Sequence, residues 1–296
     1  MKKLIVIAGP TASGKTKLSV GLAKQFNCPI ISADSRQFYK EMSIGTAKPS
    51  KDEMDGVTHY FVDSHSIKTP LSAGQFELEA IDLLNELFEV NEQVIIVGGS
   101  GMFIDAVVFG TDRIPHSKIV RDKWNNLFDV RGLNFLQDQL KEKDPEYYKQ
   151  VDIKNPVRLI RALEVIEITK TKYSELRQRT TQRNFDTSYF VIEHPRELLY
   201  ERINLRVEQM IDNGLVQEVK KLVDYKGTQP LNTVGYKEIF EFLDGEISLE
   251  KAVDQIKKNT RNYAKRQITW FRRVKNATWI KSVSYTHLRA HETKAN

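Results

Sequence analysis

The segment Leu4-Ile5-Val6-Ile7-Ala8-Gly9-Pro10-Thr11-Ala12-Ser13-Gly14-Lys15-Thr16 decides the fold. Its apolar start reads as a short buried strand, and Lys15 to Lys24 reads as a helix. Between them, Gly9 to Thr16 satisfies G-x-x-x-x-G-K-[ST]. Glycines let such a loop curl until successive backbone N–H groups face phosphate oxygens. The helix N-terminus adds partial positive charge, Lys15 adds a full one, and the Thr16 hydroxyl suits Mg²⁺. Gly9, Pro10, Thr11, Ala12, Ser13, Gly14, Lys15 and Thr16 are therefore candidate diphosphate-binding residues, with Thr16 the candidate metal ligand. The loop is of the nucleotide-binding, ATP-binding type. It names a ligand's phosphates and not a reaction.

Outward from this loop, the first third alternates strands and helices, the pattern of a parallel sheet with helices on both faces. Pro29 to Ala33 reads as a second strand, expected next to the phosphate-loop strand and ending at Asp34. Tyr60-Phe61-Val62 reads as a third, ending at Asp63. Ser72-Ala73-Gly74-Gln75 reads as a capping box before a helix whose apolar face is Phe76, Ala80, Leu83, Leu84, Leu87 and Phe88. Gln93 to Val97 is the next strand and runs into Gly98-Gly99-Ser100-Gly101. From about Arg113 to Phe185 amphipathic helices replace strands, one opened by Asn155-Pro156. Strand character returns at Tyr189 to Ile192, and helices follow to Arg273. The expected organisation is a phosphate-loop α/β catalytic domain at 1–112 and 186–281, an inserted all-helical domain at 113–185, and a tail at 282–296. Ser284 to Thr293 of that tail resembles translated sequencing-adapter sequence. The tail, with His287 and His291, reads as disordered or non-native.

Composition bounds the partners. The chain has 296 residues, 28% of them charged, and a net charge of +6 that favours an anionic partner. Its one cysteine, Cys28, excludes an internal disulfide and fits a reducing cytosol. The apolar run after Met1-Lys2-Lys3 is too short for a signal peptide, and no segment approaches a membrane span. A soluble cytoplasmic protein without a membrane partner is expected.

Asp34, with Ser35, Arg36 and Gln37 behind it, lies where open α/β sheets place their ligands. Its carboxylate suits an Mg²⁺ ligand, a general base or a helix N-cap. No acid follows the Gln93 to Val97 strand, which weakens ATPase chemistry, although Asp63 is placed to fill that role. Glycines at Gly98 to Gly101 permit close approach of a backbone or ligand, and Ser100 can donate to an anion. Three basic clusters suit RNA phosphates: Arg158 with Arg161, Arg202 with Arg206, and Lys257 to Arg273. In the last, the interleaved Trp270 and Phe271 suit base stacking. Thr233-Val234-Gly235-Tyr236-Lys237-Glu238 either presents Tyr236 and Lys237 to RNA or starts a helix with Tyr236 packed down.

The ordered set of these segments resembles the tRNA dimethylallyltransferases (tRNA isopentenyltransferases) of bacterial type. It comprises Gly9 to Thr16, Ala33 to Gln37 with Tyr39, Gly45 to Pro49 and Gly98 to Gly101. Further along come Arg158 to Glu164, Val234 to Glu238, and Thr260-Arg261 with Lys265 to Phe271. The resemblance implies transfer of a dimethylallyl group from its diphosphate to the exocyclic amine of the adenosine 3′ of the anticodon. Asp34 would be the base. Lys15, Mg²⁺ on Thr16 and Arg206 would meet the diphosphate, and Ser100 stands where the family commonly has threonine. It also implies tRNA contact by Asp34, Ser35, Arg36, Gln37, Ser100, Val157, Arg158, Leu159, Ile160, Arg161, Thr233, Val234, Gly235, Tyr236, Lys237 and Glu238. The inserted domain would grip the anticodon stem. A monomer is expected. The alternatives are a phosphate-loop small-molecule kinase, an adenylate isopentenyltransferase using free AMP, and an RNA-binding regulator that senses nucleotide.

Overall fold

The computed structural model describes residues 2–112, 114–177 and 182–281. The tail at 282–296 lies outside them. The elements run β1 (Lys3–Ala8), α1 (Lys15–Phe26), β2 (Ile30–Ser32), α2 (Lys51–Met54), β3 (His59–Tyr60), α3 (Ala73–Val90), β4 (Gln93–Gly98) and α4 (Gly101–Phe109). Next come α5 (Lys118–Lys143), α6 (Pro145–Gln150), α7 (Pro156–Thr169), α8 (Tyr173–Leu176) and β5 (Asp186–Glu193). Helices α9 (Arg196–Asp212), α10 (Leu215–Lys220), α11 (Tyr236–Leu243) and α12 (Leu249–Phe271) precede β6 (Thr278–Lys281).

The six strands form one parallel sheet in the order β3-β2-β4-β1-β5-β6. Alternate side chains of each central strand enter different cores, as the two-residue period requires. Leu4, Val6, Ala8, Val94, Ile96, Tyr189 and Val191 pack with Phe76, Leu84 and Phe271 on one face. Ile5, Ile7, Ile95, Val97 and Ile192 pack with Val20 and Ala23 of α1 on the other. Burial on both faces explains why these strands are near-continuous apolar runs.

Three expectations need correction. Strand β2 pairs with β4 and β3, so β4 separates it from the phosphate-loop strand. The third strand stops at Tyr60, because Phe61 and Asp63 both take left-handed conformations, with φ of 60° and 53°. Strand β6 was not anticipated. It pairs with β5 after the chain leaves α12, and its burial is only partial, so four residues carried little periodic signal.

Contacts divide the chain into two compact units. One holds the described residues of Met1–Val108 and Arg183–Asn296 and contains the whole sheet. The other, Phe109–Gln182, is helical. Its core is built from Trp124, Leu136, Leu140, Tyr147, Leu159, Ile160 and Leu163. Helix α7 starts as the sequence implies, with Asn155 accepting from the Arg158 N–H and Pro156 at the first helical position.

Candidate active site

Three chain turns meet over the carboxyl ends of the central strands. The first is the phosphate loop after β1. Gly14 adopts φ 81°, a left-handed conformation that glycine takes without steric cost, and hands the chain to α1 with no side-chain cap. The first N–H groups of α1 are thus left for an anion. The second turn follows β2 and carries Asp34, whose Oδ1 accepts the Arg36 N–H at 3.2 Å. The third is Gly98 to Gly101 after β4. Here the glycines accommodate protein. A Cβ on Gly98 would overlap the Ala33 carbonyl, one on Gly99 the Gln267 amide, and one on Gly101 the Trp270 ring.

These turns enclose a cavity of about 600 Å³ lined by Thr11 to Lys17, Asp34, Gln37, Arg202, Arg206 and Gln267, among others. It brings together the phosphate loop, the Asp34 carboxyl and both arginines of α9. Arg206 Nη1 lies 3.5 Å from Thr11 Oγ1. Burial pulls the Arg206 guanidinium below its usual range, partly offset by the charge of Glu53. Lys15 Nζ donates to the Pro10 carbonyl at 2.7 Å. Burial lowers its pKa to about 8, against the opposing pull of Asp34. Burial also raises the Asp34 carboxyl, against the Arg36 N–H and the charge of Lys15. The two groups attract each other, yet loss of water dominates and draws both toward their neutral forms.

Ser100 lies one layer behind the cavity lining. Its hydroxyl accepts the Ser35 N–H at 3.0 Å and donates to Ser35 Oγ at 3.1 Å. Tyr263 of α12 also bonds to it, and burial, with the nearby Asp34 charge, pushes this phenol up to about 12. Ser100 therefore orients the Asp34–Gln37 turn, with its hydrogen-bonding capacity already taken. Asp63 pairs with Lys48 and is not among the cavity lining.

The other expected RNA contacts separate by exposure. In α7, Val157 and Arg158 are exposed while Leu159 and Ile160 are core residues. Arg161 is engaged internally, donating to Glu164 Oε2 at 3.1 Å and to the Pro115 and Ile114 carbonyls. Glu164 is fully buried, which alone would raise its carboxyl. The Ser117 N–H, Arg121 and Arg161 hold it below the usual range instead. Between the two readings of Tyr236, the structure selects packing. Its ring is fully buried, with its hydroxyl on Glu218. Glu238 closes the start of α11 by accepting the Gly235 N–H, and Lys237 is exposed. Trp270 and Phe271 do not stack bases. Phe271 is fully buried in the sheet core, and Trp270 packs on Gly101 and donates to Asp105. The helical period of α12 turns them inward while the lysines and arginines beside them face out.

Sequence reasoning missed Gln267, Tyr263 and Glu218. Gln267 and Tyr263 sit in a polar helix segment where nothing local distinguishes a buried polar side chain from an exposed one. Glu218 belongs to the six-residue α10, whose role appears only when the Ser43–Gly45 turn lands on it.

A profile of the family described as IPP transferase matches residues 37–274. A tRNA dimethylallyltransferase of Flavobacterium psychrophilum is 47% identical over 288 residues, covering 95% of this chain and 94% of its own. One from Christiangramia forsetii is 49% identical, covering 94% and 92%. Among solved structures, the full-length tRNA isopentenylpyrophosphate transferase of Bacillus halodurans superposes with a TM-score of 0.72 at 37% identity, covering 100% of this chain and 96% of that one. A eukaryotic dimethylallyltransferase acting on tRNA gives 0.81 at 27% identity, covering 96% and 75%.

Proposed function

Since the chain belongs to the tRNA dimethylallyltransferase (IPP transferase) family, we propose that it moves a dimethylallyl group from dimethylallyl diphosphate to N6 of the adenosine 3′-adjacent to the anticodon of tRNA. Diphosphate is released. The observation that carries the reading is the convergence, in one cavity, of a phosphate loop, two arginines and a carboxyl held partly away from water.

An adenine amine is a weak nucleophile because its lone pair is delocalised into the ring. Asp34 accepts its proton as the new C–N bond forms. Burial raises the pKa of this carboxyl, so that its ionised form is a stronger base than an exposed carboxylate. The allylic carbon gains positive charge as its bond to the diphosphate oxygen breaks. Lys15, Arg206 and the N–H groups at the start of α1 stabilise the departing oxygens. Lys15 exchanges the Pro10 carbonyl for a phosphate oxygen, whose negative charge favours the ammonium form against burial.

The Thr16 hydroxyl at the head of α1 is a hard oxygen donor lining the same cavity, and so fits Mg²⁺. Among the described residues no group of three His, Cys, Asp or Glu side chains is placed to hold a metal. Thr16 would hold such an ion, which would supply charge neutralisation of the leaving group.

The acceptor adenosine reaches Asp34 by leaving the anticodon-loop stack, at a cost of a few kcal/mol. Arg158 and Lys237 are exposed and meet RNA directly, whereas Ser35, Arg36 and Gln37 reach it from a turn in which Ser35 bonds to Ser100, Arg36 to the Gln229 carbonyl and Gln37 to the Thr46 and Ala47 carbonyls. The partner is the tRNA anticodon stem-loop, and the chain acts on it as a monomer.

The test is incubation with Mg²⁺, unmodified tRNA and labelled dimethylallyl diphosphate, followed by nuclease digestion and mass analysis of nucleosides. A dimethylallyl adenosine from the anticodon loop is expected. Label on free AMP alone would replace the acceptor with a nucleotide, and ATP consumption without transfer would favour the kinase reading.

A further inference from the structure

Helix α12 buries Ala252, Ile256, Ala264, Gln267 and Phe271, and Gln267 is the polar member of that face. A buried amide is costly unless both of its ends are bonded. Both are. Gln267 Oε1 accepts the Thr11 N–H at 2.9 Å, and Nε2 donates to the Gly99 carbonyl at 2.9 Å. Thr11 belongs to the phosphate loop. Gly99 precedes Ser100, whose hydroxyl holds the Ser35 N–H beside Asp34. The absence of a side chain on Gly99 is what lets the amide reach this position. Gln267 itself lines the cavity.

We propose that Gln267 is a positioning residue for group transfer: its amide locks the wall that holds the leaving diphosphate to the wall that carries Asp34, fixing the distance across which the dimethylallyl group moves. This rests on the transferase reading above. The two walls are otherwise on different strands, and misplacement of reacting groups by about 1 Å costs roughly a hundredfold in rate. Both ends of the amide are committed to Thr11 and Gly99, so its loss acts through those two residues and leaves tRNA affinity in place.

The experiment compares the full-length wild-type chain with Gln267→Ala and Gln267→Glu, measuring kcat at saturating substrates, tRNA affinity and thermal midpoint. In Gln267→Glu the protonated carboxyl keeps the shape of the amide, with one O–H for the Gly99 carbonyl and one acceptor for the Thr11 N–H. Once ionised it offers no donor and sets a negative oxygen against that carbonyl. The kcat of Gln267→Glu relative to wild type therefore falls as pH rises, by about a hundredfold at the alkaline end. Lys15, Lys17, Asp34, Lys48, Glu53, His59, Arg202 and Arg206, the titratable groups lining the same cavity, are common to both proteins and cancel in this ratio. Gln267→Ala loses about a hundredfold in kcat with unchanged tRNA affinity. A ratio independent of pH overturns the proposal, as does parallel loss of tRNA affinity in Gln267→Ala, which would mark collapse of the site. Failure of the wild-type chain to transfer at all would instead strike the parent reading.

Discussion

The Tyr236 hydroxyl donates to Glu218 Oε1 at 2.6 Å, and the same carboxylate accepts the backbone N–H groups of Ser43, Ile44 and Gly45. One acidic side chain of α10 thus fastens the turn ahead of Thr46 to the helical layer of α10 and α11. A side chain at Gly45 would meet the Tyr236 ring, so the fit is steric as well as polar. Two of the segments that carry the family resemblance, Gly45–Pro49 and Val234–Glu238, are one physical unit.

Glu218→Ala leaves three N–H groups and a buried phenol without their acceptor. A loss of roughly 2–3 kcal/mol in unfolding free energy is expected. Denaturant titration measures it, and Tyr236→Phe should cost less because only one bond is lost. A Glu218→Ala protein as stable as wild type would show that the turn finds its acceptors elsewhere.

Lys15→Met should separate stability from binding. The folded pKa of Lys15, about 8, lies below the ordinary lysine value of 10.5. The folded state therefore holds fewer protons than the unfolded chain between these values, and this group's contribution to stability rises with pH across that window. Below pH 8 the charged ammonium opposes folding in full. Lys15→Met accordingly melts higher than wild type at about pH 7, while its pyrophosphate affinity drops by roughly tenfold or more. Calorimetric binding and melting on the same preparation check both halves, and a lower melting point would refute the first.

Asp34→Asn removes the base with little change in shape. Transfer should fall by a factor of about 10²–10⁴, with tRNA affinity retained. Because burial raises the Asp34 carboxyl, the acid limb of wild-type kcat should lie above the ordinary aspartate range and vanish in the residual activity of the variant. A single-turnover pH profile tests this, and undiminished transfer by Asp34→Asn would remove the residue from the mechanism.

Gly98→Ala forces a methyl group against the Ala33 carbonyl, whose partner is the Ser100 N–H at 3.3 Å. Overpacking of this kind costs about 1–3 kcal/mol, and here the strain falls on the backbone that carries Asp34. Turnover should therefore decline more than thermal stability alone accounts for. Equal activity at equal folded fraction would show that the two turns can separate without consequence.

Much of this was legible in the chain itself. Apolar runs marked β1, β2, β4 and β5, because strands buried on both faces must be apolar throughout. The strand–loop–helix form of Gly9–Thr16, the helix start at Asn155-Pro156 and the Ser72 half of the expected capping box read correctly since their chemistry is local. Ser72 does accept the Gln75 N–H. Position over the sheet was less legible. The expectation that β2 adjoins β1 failed because nothing in a strand's own residues says which neighbour it will pair with.

What the sequence alone determined is everything that local chemistry dictates: a phosphate loop between strand and helix, a carboxylate after the second strand, two-sided strand burial, and helical stretches with capped starts. Tertiary structure decided which polar groups remain free to act. Trp270, Phe271, Tyr236, Arg161 and Ser100 carry the same side chains whether they meet RNA or not, and long-range packing committed all five to the protein interior or to internal hydrogen bonds. It also gave Gln267 its two partners, 256 and 168 residues away. Contacts at such separation are set by how helices close over the sheet, and no local pattern encodes them.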